Sequence, residues 1–211
     1  MEPNLAKLAR QLNLRNADRP PLLRSLPAVI LMTDDHRLAD PIPALARLPL
    51  HSMVIYRHYN HPDRDKLAWR VRQACRKYGH LFFVSADIAL ATRIAAHGLH
   101  LPDRAQSHLR HALQTAQSCG LMVSASVHGL SQLNWLRVFA DNIDAVIISP
   151  AFATQSHPGA KHLSHQVFNQ LACLAYRAGI APYALGGINY KHLLQLKSAP
   201  LSGIAGIGFA T

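Results

Sequence analysis

Acidic residues are scarce in this sequence: eleven Asp and Glu face 22 Lys and Arg, for a net charge of +11 with histidine neutral. Such a surface attracts anions, and phosphates, nucleic acid and acidic membranes are all candidate partners. The basic residues, however, are scattered over predicted helices (Arg70, Arg72, Arg76, Lys77) and loops (Arg104, Lys161). They form no block interleaved with aromatics, which argues against a nucleic-acid module. Long apolar runs are also missing. None approaches the roughly 20 residues of a membrane span, and the N-terminus has no signal-peptide core, so the expectation is a soluble cytoplasmic protein with no membrane partner. Cys75, Cys119 and Cys173 are the only cysteines, far apart and without close-pair metal spacing, so they read as plain thiols. Charged residues make up 16% against 49% hydrophobic, which excludes a disordered chain and leaves enough apolar material for one sizeable core.

What the sequence does contain is a rhythm. Eight short apolar, β-branched runs recur along the chain and mostly alternate with helical patterns. They are 28–34 (AVILMTD), 52–59 (SMVIYRHY), 81–86 (LFFVSA), 98–102 (GLHLP), 122–128 (MVSASVH), 144–150 (DAVIISP), 182–188 (PYALGGI) and 203–209 (GIAGIGF). Such alternation is the mark of parallel βα units, and continuous hydrophobicity within a run means that both faces of the strand are buried. Between the runs lie amphipathic segments. RDKLAWRVRQACRKYG places Leu67, Val71, Ala74 and Tyr78 on one stripe, and it, HLRHALQTAQSCG and HQVFNQLACLAYRAG all end at a glycine. The expected fold is α/β, a single (β/α)₈ TIM barrel over 28–211 that lacks its last helix or keeps only a turn of it, preceded by an N-terminal helical extension over 1–27. The amphipathic run NLAKLARQLNL in that extension is suited to cover the gap at the outer wall; a basic tail is the other reading.

In a barrel the site is built at the C-terminal ends of the strands. Those ends supply Thr33, Asp34 and Asp35 after the first run, Arg57 and His58 on the second and Ser85 on the third. The fifth gives Ser126 and His128, and the sixth Ser149, Pro150 and Thr154. Gly186 and Gly187 on the seventh and Gly206 and Gly208 on the eighth let backbone N–H groups approach a phosphate; a tight turn is the plainer reading of the first pair. Arg57 offers fixed donors to a carboxylate or phosphate, or a salt bridge to Asp34 or Asp35. His97, His108, His111, His162, His165 and His192 read as solvated or structural. His100 faces either the barrel interior or the helix layer, and His157 sits in the loop SHPGA.

The order of these strand ends resembles the thiamine phosphate synthase/TenI superfamily from Ala28 to Phe209. LMTDD, IYRHY, GLHLP, SASVH, DAVIISPAFAT, YALGGI and GIAGIG are similar to that family's successive motifs. The resemblance implies a barrel that binds a phosphorylated ligand through Thr33, Arg57, Ser85, Ser126, Ser149, Thr154 and the four glycines. It also marks departures. In the synthases the third strand ends with Asn and Asp and a further Asp follows the fourth, together handling Mg²⁺ and a pyrophosphate. Here those positions read Ser85, Ala86 and Ala105, and alanine cannot hold a hard cation. Asp87 and Asp103 are the nearest substitutes, and in the altered sixth-strand loop Thr154 and Lys161 are left to contact the ligand.

The TenI branch also lacks those carboxylates and carries a His after the fifth strand. The resemblance therefore implies a thiazole tautomerase, an isomerase that moves a proton on a thiazole phosphate without metal or other cofactor, with His128 as acid and base. An imidazole both takes and gives a proton near neutral pH. Two alternatives stand beside it: a thiamine phosphate synthase, which would need Mg²⁺, and a catalytically silent barrel that binds thiamine precursors or a partner. The expected partner is thiazole phosphate or a related anionic ligand, and a homodimer is compatible with the sequence.

Overall fold

The computed structural model describes residues 3–15, 26–103, 109–153 and 162–207. Eight parallel strands close into a barrel in sequence order: β1 (Val29–Met32), β2 (Met53–Tyr56), β3 (Leu81–Ser85), β4 (Gly98–Leu101), β5 (Met122–Val127), β6 (Ala145–Ile148), β7 (Ala181–Leu185) and β8 (Gly203–Gly206). The last pairs with the first, Ile30 opposite Ala205. The chain is a (β/α)₈ barrel. Each strand falls inside an apolar run, apart from Ala181 at the start of β7, because both faces of a barrel strand are buried and apolar residues, aliphatic and aromatic, fill most of both.

Successive residues point alternately inward and outward. Ile30, Met32, Met53, Ile55, Phe83, Ala145, Ile147, Ala181, Tyr183 and Ala205 pack together inside the barrel, while Leu31, Val54, Tyr56, Phe82 and Val84 belong to clusters under the helices. The same parity sends Arg57, Ser85, His100, Ser124, Ser126 and Ser149 to the inner side, while His128, past the end of β5, is exposed. Gly98 serves this interior. A Cβ there would lie 2.4 Å from the Phe83 ring, so the glycine makes room for the phenyl group.

The outer layer comprises α2 (Ile42–Leu45), α3 (Arg64–Tyr78), α4 (Ile88–Arg93), α5 (Leu109–Ser118), α6 (Leu130–Leu136), a 3₁₀ turn (Arg137–Asn142), α7 (His165–Arg177) and α8 (Tyr190–Gln195). The glycines read as helix stops, Gly79, Gly120 and Gly179, all have positive φ, the left-handed conformation that ends a helix at little steric cost to glycine. An N-terminal helix, α1 (Pro3–Arg15), completes the wall. Its Leu5, Leu8, Ala9 and Leu12 are buried in the same cluster as Val29 and Ile204, and Asn13 Nδ2 donates to the carbonyls of Ser202 (2.5 Å) and Leu26 (3.3 Å). The amphipathic run thus covers the seam between β8 and β1. Of the cysteines, Cys75 is buried, Cys173 half-buried and Cys119 exposed. Among the described residues no helix is long and apolar enough to cross a membrane.

Four histidines sit inside this frame as neutral connectors. His80 Nδ1 accepts from the Ser52 N–H and its Nε2 lies 3.0 Å from the Leu45 carbonyl. His97 Nδ1 accepts from the Phe82 N–H at 2.9 Å. His58 joins the loops after β1 and β2, and His100 lies in the barrel interior. Burial pushes the pKa of all four below the ordinary imidazole value, that of His100 down to about 3. The unfolded chain therefore binds more protons than the folded one below about pH 6.5, and stability is full above that value and declines as pH falls. We expect the unfolding free energy, and with it the urea midpoint, to drop from pH 7 to pH 5, the slope approaching about 1.4 kcal/mol per pH unit well below pH 6.5 for each histidine still neutral in the fold. A midpoint flat across that interval would contradict these placements.

Candidate functional site

At the end of β2 the chain is fixed by Thr33. The Arg57 N–H donates to Thr33 Oγ1 at 2.8 Å, and that oxygen is 2.9 Å from His58 Nδ1. His58 Nε2 faces the Leu38 and Ala39 carbonyls at 3.1 and 3.2 Å, which only accept, so the neutral ring carries its proton there. Nδ1 is then the acceptor and the Thr33 O–H donates to it. Thr33 is fully buried. It holds the strand end, with its hydroxyl engaged by the Arg57 amide and the His58 ring.

The Arg57 side chain is half-buried, with Nη1 4.0 Å from Met32 Sδ, and among the described residues it has no ion-pair partner. The expected alternative, a bridge to Asp34 or Asp35, does not form. Asp34 Oδ1 accepts from the His36 and Arg37 amides, capping its own turn. Partial burial pushes its carboxyl up, but the Arg37 and His36 amides and the charges of Arg57 and Arg37 outweigh that and hold it below the usual value. Asp35 Oδ2 accepts from the Tyr59 and Asn60 amides.

The β3 side of the mouth is filled by protein contacts. Tyr59 Oη is 2.7 Å from Ser85 Oγ. Arg64, at the start of α3, donates through Nε to the His58 carbonyl (2.8 Å) and through Nη2 to the Ser85 carbonyl (3.2 Å), and it pairs with Asp87 Oδ2 through Nη1. Asp87 Oδ1 caps α4 by accepting from the Leu90 N–H at 2.8 Å. Both oxygens of Asp87 are thus engaged. Asp103 Oδ1 accepts from Gln132 Nε2 at 2.8 Å. Asp87 and Asp103 are both engaged within the protein, and no group of three His, Cys, Asp or Glu suited to a metal occurs among the described residues. Among those residues, Ser85, Ala86, Asp87 and Asp103 do not assemble a Mg²⁺ site. Ala86 keeps φ at +61°, a conformation that Asn and Asp tolerate better than alanine. Ala105 lies outside the described residues.

Across the mouth, His128 ends β5. Its Nδ1 is 2.9 Å from the Ser149 carbonyl and 3.2 Å from Ser149 Oγ. A carbonyl only accepts, so Nδ1 carries a proton, and in the neutral ring the lone pair is on Nε2. Gln132 braces this corner: its Oε1 accepts from the His128 N–H at 2.7 Å and its Nε2 also donates to the Ser126 carbonyl. Beside them is a cavity of about 450 Å³ lined by Asp103, His128, Gly129, Ser131, Gln132 and Trp135. Ser149 is buried, and its carbonyl and hydroxyl lie against the His128 ring.

The glycine pair after β7 packs on the loop after β6. Gly186 and Gly187 have φ of +104° and +62°, and a Cβ on Gly187 would lie 2.4 Å from the Ala153 carbonyl oxygen. The Ala151 and Phe152 amides donate to the Leu185 and Gly186 carbonyls, and Phe152 stacks on His192 at 4.3 Å. Gly206 ends β8; Thr154, His157, Lys161 and Gly208 lie outside the described residues. Tyr59, Arg64 and Gln132 are the residues that sequence reasoning missed. Each makes at least one contact across 21 or more positions, to Ser85 for Tyr59 and Arg64 and to Asp103 for Gln132, and no local pattern announces those.

The family model described as thiamine monophosphate synthase (TMP-TENI) matches residues 29–209. The chain belongs to this family. Thiamine-phosphate synthase of Listeria monocytogenes serotype 4a (strain HCC23) is 27% identical over 154 residues, 71% of this chain and 68% of that protein. The thiamine-phosphate synthase of Histophilus somni (strain 129Pt) is 30% identical over 148 residues, 69% of this chain and 64% of that one. Among solved structures, thiamine phosphate pyrophosphorylase from Pyrococcus furiosus superposes with a TM-score of 0.69 over 87% of this chain and 86% of its own, at 22% identity. That likeness speaks for the TMP-TENI fold.

The two arginines at the mouth of this family member should behave oppositely on mutation. Arg64→Lys loses planar donors to two carbonyls and a carboxylate and should lower stability by about 1–3 kcal/mol in urea denaturation. Arg57→Lys, with no ion pair to lose, should leave the midpoint nearly unchanged. An equal loss in both would mean that Arg57 is also a structural brace.

Proposed function

We propose that this chain is a thiazole tautomerase of the TenI type, acting on a phosphorylated thiazole carboxylate. The observation that carries this reading is the hydrogen bond from His128 Nδ1 to the Ser149 carbonyl, which leaves Nε2 as a base with no protein partner among the described residues, beside a cavity. The reaction needs one group that removes a proton from carbon and returns it to a conjugated position. No co-reactant is consumed, and a fixed imidazole suffices. Arg57 supplies an unneutralised cation inside the mouth for the carboxylate or phosphate. His128→Asn should lower exchange of the thiazole carbon proton with D₂O, followed by NMR, by about 10²- to 10⁴-fold while sparing affinity for the phosphorylated ligand. Arg57→Lys should instead weaken that affinity severalfold. Wild-type exchange in His128→Asn would remove the histidine from the mechanism.

The names of the relatives favour a second reading, a synthase that joins pyrimidine pyrophosphate to thiazole phosphate. Metal tells the two apart. With Asp87 and Asp103 committed to Arg64, Leu90 and Gln132, calorimetric titration of Mg²⁺ in the presence of pyrimidine pyrophosphate should show no binding beyond that of the free diphosphate. Tight ternary binding with production of thiamine phosphate would establish the synthase.

A further inference from the structure

One buried titratable side chain inside the barrel has no part in the chemistry above. His100 on β4 is fully enclosed, its Nδ1 3.0 Å from Ser124 Oγ and its Nε2 3.2 Å from Ser126 Oγ. The two serines are inward residues of β5, two apart, and they differ in depth. Ser124 is wholly buried, whereas Ser126, nearer the C-terminal end of the strand, is partly exposed. Enclosure and the nearby Arg57 charge keep the imidazole neutral. A neutral imidazole has one N–H and one lone pair, so it donates to one serine and accepts from the other.

The buried serine decides which. Among the described residues the Ser124 hydroxyl has His100 as its only hydrogen-bond partner. A buried O–H without an acceptor costs more than an idle lone pair, so Ser124 donates to Nδ1. The proton of His100 is then on Nε2, donated to Ser126 Oγ, and the Ser126 O–H is released from the interior. We propose that His100 is a positioning residue: as the Nε2–H tautomer it turns the Ser126 hydroxyl toward the mouth, where that group and Arg57 together offer donors to an anionic oxygen of the ligand. The ligand half of this assignment rests on the proposed function; the tautomer half does not.

Two measurements test it. Side-chain ¹⁵N NMR of the unliganded protein at pH 7 reads the tautomer directly, with the signal assigned by His100→Gln, or by its shift in Ser126→Ala if the glutamine variant does not fold. A neutral Nε2–H ring is expected; an Nδ1–H ring or a doubly protonated one overturns the proposal. For the second, affinity for the phosphorylated thiazole carboxylate should fall about 10-fold or more in Ser126→Ala, the scale of one hydrogen bond to a charged group. The double variant with His100→Gln should bind as Ser126→Ala does, because His100 acts only through that hydroxyl. Independent, additive losses overturn it. If the wild-type protein binds none of this ligand, it is the functional reading that has failed, and the NMR result alone decides the role of His100.

Discussion

The organisation of this protein follows from one constraint: a closed barrel has an interior without water, so any polar side chain pointing inward must find its partner within the wall. Deep in the barrel on the β1, β2 and β6 to β8 side, Ile30, Met32, Met53, Ile55, Ile147 and Tyr183 fill the space with apolar groups, and the Tyr183 hydroxyl donates to the Pro27 carbonyl at 2.6 Å. On the β3 to β5 side the requirement is met by pairing. His100 takes Ser124 and Ser126, and Ser85 takes Tyr59. The barrel thus has an apolar half and a polar half, and the mouth inherits that asymmetry. Aliphatic packing anchors one rim, while hydrogen-bonded groups with few alternatives set the other.

The same accounting holds at the end of β3. Arg64 uses its charge on Asp87 and its remaining donors on the His58 and Ser85 carbonyls, so this pair is balanced within the protein. Arg57 is left out of this arrangement. With Asp34 turned to its own amides and Asp35 to those of Tyr59 and Asn60, its positive charge stays available inside the mouth. A chain with twice as many basic as acidic residues has few carboxylates to spare, and in this corner they are spent on loop geometry.

Much of this was legible in the sequence, for identifiable reasons. Strands buried on both faces leave continuous apolar runs, so all eight could be counted, and Gly79, Gly120 and Gly179 marked helix ends because left-handed residues favour glycine. The strand ends were found in the right places, and strand parity sorts them further. Arg57 follows Met53 and Ile55 inward, whereas Thr33 follows Val29 and Leu31 outward, which is why its hydroxyl ends in the wall. That distinction needed the register, which one residue of slip would reverse. The reach of Arg64, Tyr59 and Gln132 was not legible at all, since long polar side chains choose partners by distance in the folded state.

The loop after β6 shows how packing and chemistry are joined. Its start carries the carbonyl of Ser149 that fixes the His128 ring; its next residues are held by the Leu185 and Gly186 carbonyls, and Leu163 returns to bond the Pro150 carbonyl. Gly187 lies so close to Ala153 that no side chain fits. The glycine pair therefore has a packing reason of its own, and its identity is no independent sign of a phosphate. What it does determine is the seat of the β6 loop, and hence the direction of the histidine lone pair. Because the orienting group is a backbone carbonyl, no side-chain substitution at position 149 removes it. The placement of the His128 ring is thus tied to the contact between β6 and β7 through a backbone carbonyl.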